Sequence, residues 1–421
     1  MRLLGFVAVA LLLLVVTACD PVNYTADPSY GSGGIVTLPG FSADSNIWRH
    51  ALALTADRSV IVTSSIGGRP GLVKVARDGK LDAVFAAHVP PITQSITAIT
   101  VDASGRVLLQ EITGGGIGVT RLQPNGTLDM SFGTGGSVTL AHPALSNFDI
   151  AVDHAGRIVL MFDTPVDSAP YNACAVQRLT ASGAIDATFA QGAPVIVPFV
   201  HPQGSATDMY CPRMLVRSDN SVSVVEAVSG VITLAATGSV DTGYSTGGST
   251  FAARGEITDA ALLPGDAIAL GGTEYNWLGF RMALGRLLPD GNLDPGFATG
   301  GIDAIGFLDL HPECTTGGEN DDRLAWLSAT PAGNVVEVGE NCAGLAVARW
   351  TKTGRDTRLT GDGRLLIKNP QANPNGVGRP TAGAVASDGS LVTALDFGKL
   401  MWFVGAAHAS AFEPLRQLGS R

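Results

Sequence analysis

One short block recurs seven times along this chain, and that repetition restricts the fold more than any other feature of the sequence. Its fullest copy runs from Asp129 through Phe132 and Gly133 to Gly135 and Gly136. Close relatives begin at Asp27, Asp241 and Asp294 and keep an aromatic three residues on, at Tyr30, Tyr244 and Phe297. Reduced copies begin at Asp82, Asp186 and Asp356, with Phe85, Phe189 and Leu359 in the aromatic place. The leading aspartates lie 55, 47, 57, 55, 53 and 62 residues apart. A turn dipeptide precedes each copy after the first, as at Asn125-Gly126 and Asp290-Gly291. A second sevenfold turn series sits earlier in each unit, at Asp57-Arg58, Ser104-Gly105, Ala155-Gly156, Asp219-Asn220, Pro264-Gly265, Ala332-Gly333 and Asp388-Gly389.

Apolar runs flank both turn series, and no stretch carries a long 3.6-residue period. Each unit therefore reads as strand a, turn, strand b, loop, strand c, turn, Asp block, strand d. Such a sheet of about 50 residues cannot bury both its faces alone. Packing seven of them around an axis solves the problem, which predicts an all-β, seven-bladed β-propeller of four-stranded antiparallel blades. The ends of the chain complement each other. The chain opens on an Asp block and strand d, and it ends on strands a, b and c. The N-terminal strand is thus expected to complete the last blade and remove an exposed edge. Within the Asp block, the aspartate is expected to accept N–H bonds in its own turn, and the aromatic to fill the space between blades.

These motifs resemble the delta-60 repeat family, whose units combine a strand pair around a D-G turn with a following L-D-x-S-F-G-x-G-G block. Leu128 to Gly136 is the best match and Leu293 to Gly301 the next. The resemblance spans nearly all of residues 27–410. It implies a propeller-like β fold in exported or surface proteins, and it brings no catalytic residues.

The N-terminus reads as an address. Arg2 precedes an apolar run from Leu3 to Val16, too short for a confident membrane span. Small residues then lead to Cys19, which resembles a bacterial lipobox and implies lipidation of Cys19. The expected divisions are a signal peptide over 1–18, a lipidated tether over 19–26 and one propeller over 27–421. The expected location is the bacterial cell envelope, in periplasm or at the cell surface, with the membrane reached through the lipid. An ordinary secretory signal with an incidental Cys19 is the alternative. Four other cysteines, Cys174, Cys211, Cys314 and Cys342, favour disulfides in an exported chain. Proximity suggests Cys174–Cys211 and Cys314–Cys342, out of three connectivities.

The formal net charge of −10 argues against nucleic acid, which needs a basic face. Motifs for catalysis are missing: there is no GxSxG elbow, phosphate loop or HExxH helix. No cofactor or metal is expected, because the histidines His88, His142, His201 and His311 fall at outer positions too far apart to converge. An acidic residue ends strand b in six units, at Glu111, Asp163, Glu226, Glu274, Glu340 and Asp396. Ser65 stands in the first. If equivalent, these six form a ring around the channel mouth and focus negative potential there. Trp277, three residues after Glu274, adds an aromatic suited to sugar or peptide recognition. The plain alternative is that polar residues mark where strands meet solvent. The preferred reading is a non-catalytic envelope binding or scaffold protein for a peptide, protein or glycan. The alternatives are a hydrolase or lyase at the channel mouth, with Glu226 and Glu274 as the pair to inspect, and a purely structural protein-interaction module.

Overall fold

The computed structural model describes residues 24–38, 50–66, 69–142, 148–165, 172–199, 210–245, 247–252, 254–276, 279–310, 322–341, 344–368, 380–395 and 399–405. They form seven antiparallel sheets. Blade 1 holds strands a (Leu52–Leu54), b (Val60–Ile66) and c (Arg69–Val75). Blade 2 holds Ser95–Val101, Val107–Thr113, Gly116–Leu122 and Ser137–Leu140. Blade 3 holds Asp149–Val152, Ile158–Pro165, Asn172–Leu179 and Val195–Ile196. Among the described residues, blade 4 has three strands, Arg213–Val216, Val222–Glu226 and Gly230–Leu234. Blade 5 holds Gly255–Leu262, Ile268–Asn276, Gly279–Leu287 and Ile302–Ile305. In blade 6, strands a (Arg323–Ala329), b (Val335–Asn341) and c (Gly344–Thr351) are joined by Gly354–Arg355 and Arg364–Lys368, both paired to c.

The a strands touch one another around a closed ring, from blade 7 (Pro380–Val385) to blade 1 and onward. The chain is a seven-bladed β-propeller. In blades 1 and 4 the outer position is taken by a one-turn-and-a-half helix instead of strand d: α1 (Ala83–His88) and α2 (Gly247–Ala252). Asp82 caps α1, its carboxylate accepting the Phe85 N–H at 2.9 Å.

The ring closes through the N-terminal segment. Tyr24–Ala26 and Ile35–Thr37 both pair with strand c of blade 7 (Lys399–Gly405). Tyr24 to Ala26 were expected in the tether. They belong to the fold instead, because the backbone of strand c needs a ladder partner along its outer edge.

Seven apolar clusters form the core, one at each junction between blades. The block residues Tyr30, Phe85, Phe132, Phe189, Phe297 and Leu359 are fully buried in six of them. A second device lies beside several of these residues. Arg121 Nε donates to Asp129 Oδ2 at 2.7 Å, and its guanidinium sits 4.5 Å over the Phe132 ring. Its Nη1 donates to the Ala181 carbonyl of blade 3 at 2.6 Å. Arg178 repeats this on Asp186, Phe189 and the Ala236 carbonyl of blade 4. Arg349 bonds Asp356 in the same way, and its Nη1 donates to the Tyr24 hydroxyl at 3.0 Å, which ties blade 6 to the segment that completes blade 7.

The block aspartates play the expected role as well. Asp129 Oδ1 accepts the Ser131 N–H and hydroxyl, and Asp186 does the same with Thr188. Burial pushes the Asp129 carboxyl up, but the Ser131 bonds and the Arg121 charge together hold it below its usual range.

Candidate functional site

The five described strand-b acids do not share one face of their strands. Counted from the first paired residue of strand b, Glu111 and Glu226 stand four along, Asp163 and Glu340 five, and Glu274 six. A one-residue slip changes the face of a strand. Glu111 shares its face with Val107 and Leu109 in the junction with blade 1. Glu226 and Glu274 likewise face the preceding blade. Asp163 shares its face with Val159 and Met161, which pack on blade 4. Asp396 and Trp277, and with them Cys19, Cys314 and Cys342, lie outside the described residues.

The fold engages most of these carboxylates. Glu226 Oε2 accepts the N–H groups of Val228 and Ser229 in its own hairpin, at 3.1 and 2.6 Å. Glu274 is held by Arg254 at 2.7 Å and by Arg281, its cross-strand partner. Asp163 is fully buried. Glu226 and Glu274 are thus tied into separate junctions, each by its own partners.

Glu111 differs. It is 8% exposed, and Oε2 accepts the Thr120 hydroxyl at 2.7 Å. Among the described residues Oε1 has no hydrogen-bond donor, and no cation lies beside the carboxylate. Burial raises its pKa, and the Thr120 bond offsets only part of that. Glu111 opens into a cleft of about 290 Å³ between the blade 1–2 connection (Pro90 to Gln94) and the outer strands of blade 2. A broader recess of about 700 Å³ on the rim between blades 2 and 3 is lined by small residues such as Ser131 and Gly183, with no ionisable side chain.

Four ionisable groups missed by sequence reasoning meet inside the ring. Asp149, Arg213 and Asp259 occupy one equivalent position of strand a in blades 3, 4 and 5, where blades 1, 2 and 7 carry Ala51, Ala98 and Ala382. Arg213 Nε donates to Asp259 Oδ1 at 2.9 Å. His50 of blade 1 reaches across the channel: its Nε2 lies 2.9 Å from the Pro212 carbonyl of blade 4, and its Nδ1 lies 3.1 Å from Arg213 Nη1. A carbonyl only accepts, so Nε2 carries a proton toward Pro212, while Nδ1 also lies 3.4 Å from Asp149 Oδ1. Asp149 Oδ1 and Oδ2 accept the N–H groups of Ile150 and Met214. Asp259 does the same for Ala260 and Leu327. Each carboxylate thereby satisfies the inner edges of two neighbouring blades. Burial opposes the Arg213 charge, but Asp259 and Asp149 outweigh it and keep the guanidinium firmly protonated. The signal in the sequence was an Asp or Arg at a place where other units carry Ala.

The disulfide Cys174–Cys211 forms, with Cα atoms 6.5 Å apart, and joins strand c of blade 3 to the entry of blade 4. No described helix is long and apolar enough to cross a membrane. Among the described residues, no cluster of three or more His, Cys, Asp or Glu is placed to hold a metal ion.

No family model and no curated protein matches the chain. Solved structures do. The extracellular domain of a putative hybrid two-component system from B. thetaiotaomicron is 12% identical with a TM-score of 0.46, covering 87% of this chain. This chain spans only 39% of that one. The RRP9 WD40 repeats are 13% identical with a TM-score of 0.49, over 87% of this chain and 100% of that one. The WD40 β-propeller domain of Doa1 is 11% identical with a TM-score of 0.44, over 88% and 97%.

Proposed function

We propose that this chain is a non-catalytic binding or scaffold propeller of the bacterial cell envelope, exported by residues 1–18, tethered by lipid on Cys19, and holding a peptide, protein or glycan on its b–c loop face. One observation carries the binding role. The groups that converge inside the ring are consumed by structure: Asp149 and Asp259 satisfy inner-strand N–H groups, and Arg213 and His50 bridge blades. What the b–c face offers is a surface for contact. Tyr275, beside the neutralised Glu274, is 69% exposed and meets the Phe280 ring edge-on at 5.3 Å. An exposed ring on a rigid hairpin suits stacking on a sugar or an apolar side chain. The disulfide supports export, since such bonds persist in oxidising compartments. The delta-60 resemblance, itself a proposal, points the same way.

Thermal unfolding against panels of peptides and glycans tests the binding role. A true ligand raises the midpoint, and Tyr275→Ala removes that rise. A panel with no effect, and no partner captured from envelope extract, sinks the proposal. For the address, Cys19→Ser in a bacterial host is expected to move the protein from the membrane to the soluble fraction. Unchanged membrane retention refutes the lipid tether.

A further inference from the structure

We infer that the cleft at Glu111 is a receptor for a single cationic group on a short aliphatic stem, an ammonium or a guanidinium. The inference rests on the binding reading above and names a site and a ligand chemistry for it. Its strongest support is an internal comparison. Blades 1 and 4 are the two that replace strand d by a helix, so the junctions 1–2 and 4–5 are built alike. In the second, Glu274 faces the helix-bearing blade and carries two guanidinium groups. One comes from Arg254, just after α2, and the other from Arg281, directly across the ladder. In the first, Glu111 stands on the same face of strand b, two residues lower. Its position across the ladder is Gly118. The segment after α1 brings Pro90, Pro91 and Ile92, and no cation. The cations that neutralise Glu274 thus have no counterpart at Glu111, and open volume stands in their place. At Glu274 the corresponding space leaves no room for even a water-sized guest.

The chemistry of the cleft fits one kind of guest. Ile92, Leu109 and Leu128 offer apolar wall to an alkyl stem. Glu111 Oε1 offers an acceptor at the inner end, and the Thr120 hydroxyl, which also lies 3.0 Å from the Ser137 hydroxyl, holds Oε2 in place. A volume of about 290 Å³ suits one side chain or a small amine, not a folded surface. Among the described residues that line the cleft, Glu111 alone is titratable. A basic side chain of a bound peptide and a free diamine share this chemistry.

Calorimetric titration of the full chain tests the assignment, with N-acetyl-lysine N-methylamide, its arginine and norleucine counterparts, and cadaverine as probes. The lysine or arginine probe is expected to bind with a dissociation constant on the order of millimolar, as a ligand of this size allows. Binding to Glu111→Gln is expected to fall at least tenfold, and the surface control Glu256→Gln to leave it unchanged. The norleucine probe is expected to bind at least tenfold more weakly. Cadaverine matching the lysine probe assigns the site to free amines; a clear preference for the capped residue assigns it to peptides. Gly118→Arg supplies an internal cation like Arg281. A Cβ there stands 2.7 Å from Thr113 Cγ2, so the variant is paired with Thr113→Ser, which removes that methyl and keeps the hydroxyl that serves the turn. The double variant is expected to lose binding while Thr113→Ser alone retains it. Equal binding by wild type and Glu111→Gln, equal binding of the lysine and norleucine probes, or no binding of any probe overturns the inference. None of these results touches the Tyr275 face, which has its own test.

Discussion

At the scale of single residues, the junctions are held by buried charge as well as by apolar packing. Arg178 is 1% exposed and pairs with a nearly buried Asp186. Removing one partner of a buried pair leaves the other charge uncompensated, at a cost of about 3–5 kcal/mol. Arg178→Ala is therefore expected to lower the denaturant midpoint strongly, and Arg178→Lys to recover only part, because the fork contacts to Asp186, Thr188 and Ala236 need a planar guanidinium. Glu337 makes the opposite case. It is fully buried, accepts the Trp350 indole N–H at 2.7 Å, and burial holds its carboxyl well above the usual range. A carboxyl raised in the folded state favours folding at low pH, and that favour is lost as pH rises from the unfolded value of 4.5. Glu337→Gln should therefore be more stable than wild type at pH 8 and about equal at pH 4, by thermal unfolding at both. These arginines stand in plain sight, four residues before each c–d turn dipeptide, but their Asp partners lie seven or eight residues on, and only the folded turn brings them together. The group at Asp149, Arg213 and Asp259 was harder still to see, since it joins three units at one position that other units fill with Ala.

At the scale of elements, strand register decides what the acids can do. The sequence showed that strand b ends in an acid; it did not show where each strand begins, and a slip of one residue sends Asp163 and Glu340 to the opposite face from Glu111. The helices α1 and α2 were also hidden, because Asp82-Ala83-Val84-Phe85 reads as another Asp block, and the missing strand d shows only in the pairing. The disulfide was legible from proximity in sequence. It closes a loop across a sequence separation of 37 residues between adjacent blades. Chain-entropy arguments give such a link about 3–4 kcal/mol. Reduction, or Cys174→Ser, is expected to lower the unfolding midpoint by several degrees; an unchanged midpoint means that the junction of blades 3 and 4 holds without it.

For the whole molecule, the repeat count, the ring and its closure followed from the sequence because every unit carries the same turns and the two ends are complementary. The shared Asp block also gives the molecule a common acid limit. Burial raises Asp27, Asp129, Asp186 and Asp356, but the hydrogen bonds and arginines around each hold all four below 3.8. Carboxylates depressed in the folded state stabilise it above the unfolded value and lose that stability as pH falls through the folded one. Stability is expected to drop steeply below about pH 4, with several junctions failing together, and circular dichroism across an acid titration reads this directly. Closure has a temporal side too. Tyr24 is made early in synthesis, while its ladder partner Gly405 follows 381 positions later (405 − 24). Until that partner arrives, the first strand has no mate, blade 7 has an open edge, and Arg349 lacks its hydroxyl. The final event of biogenesis is thus the return of the earliest segment, and a chain halted before residue 399 should stay an unsealed, protease-sensitive arc however well its first six blades are formed.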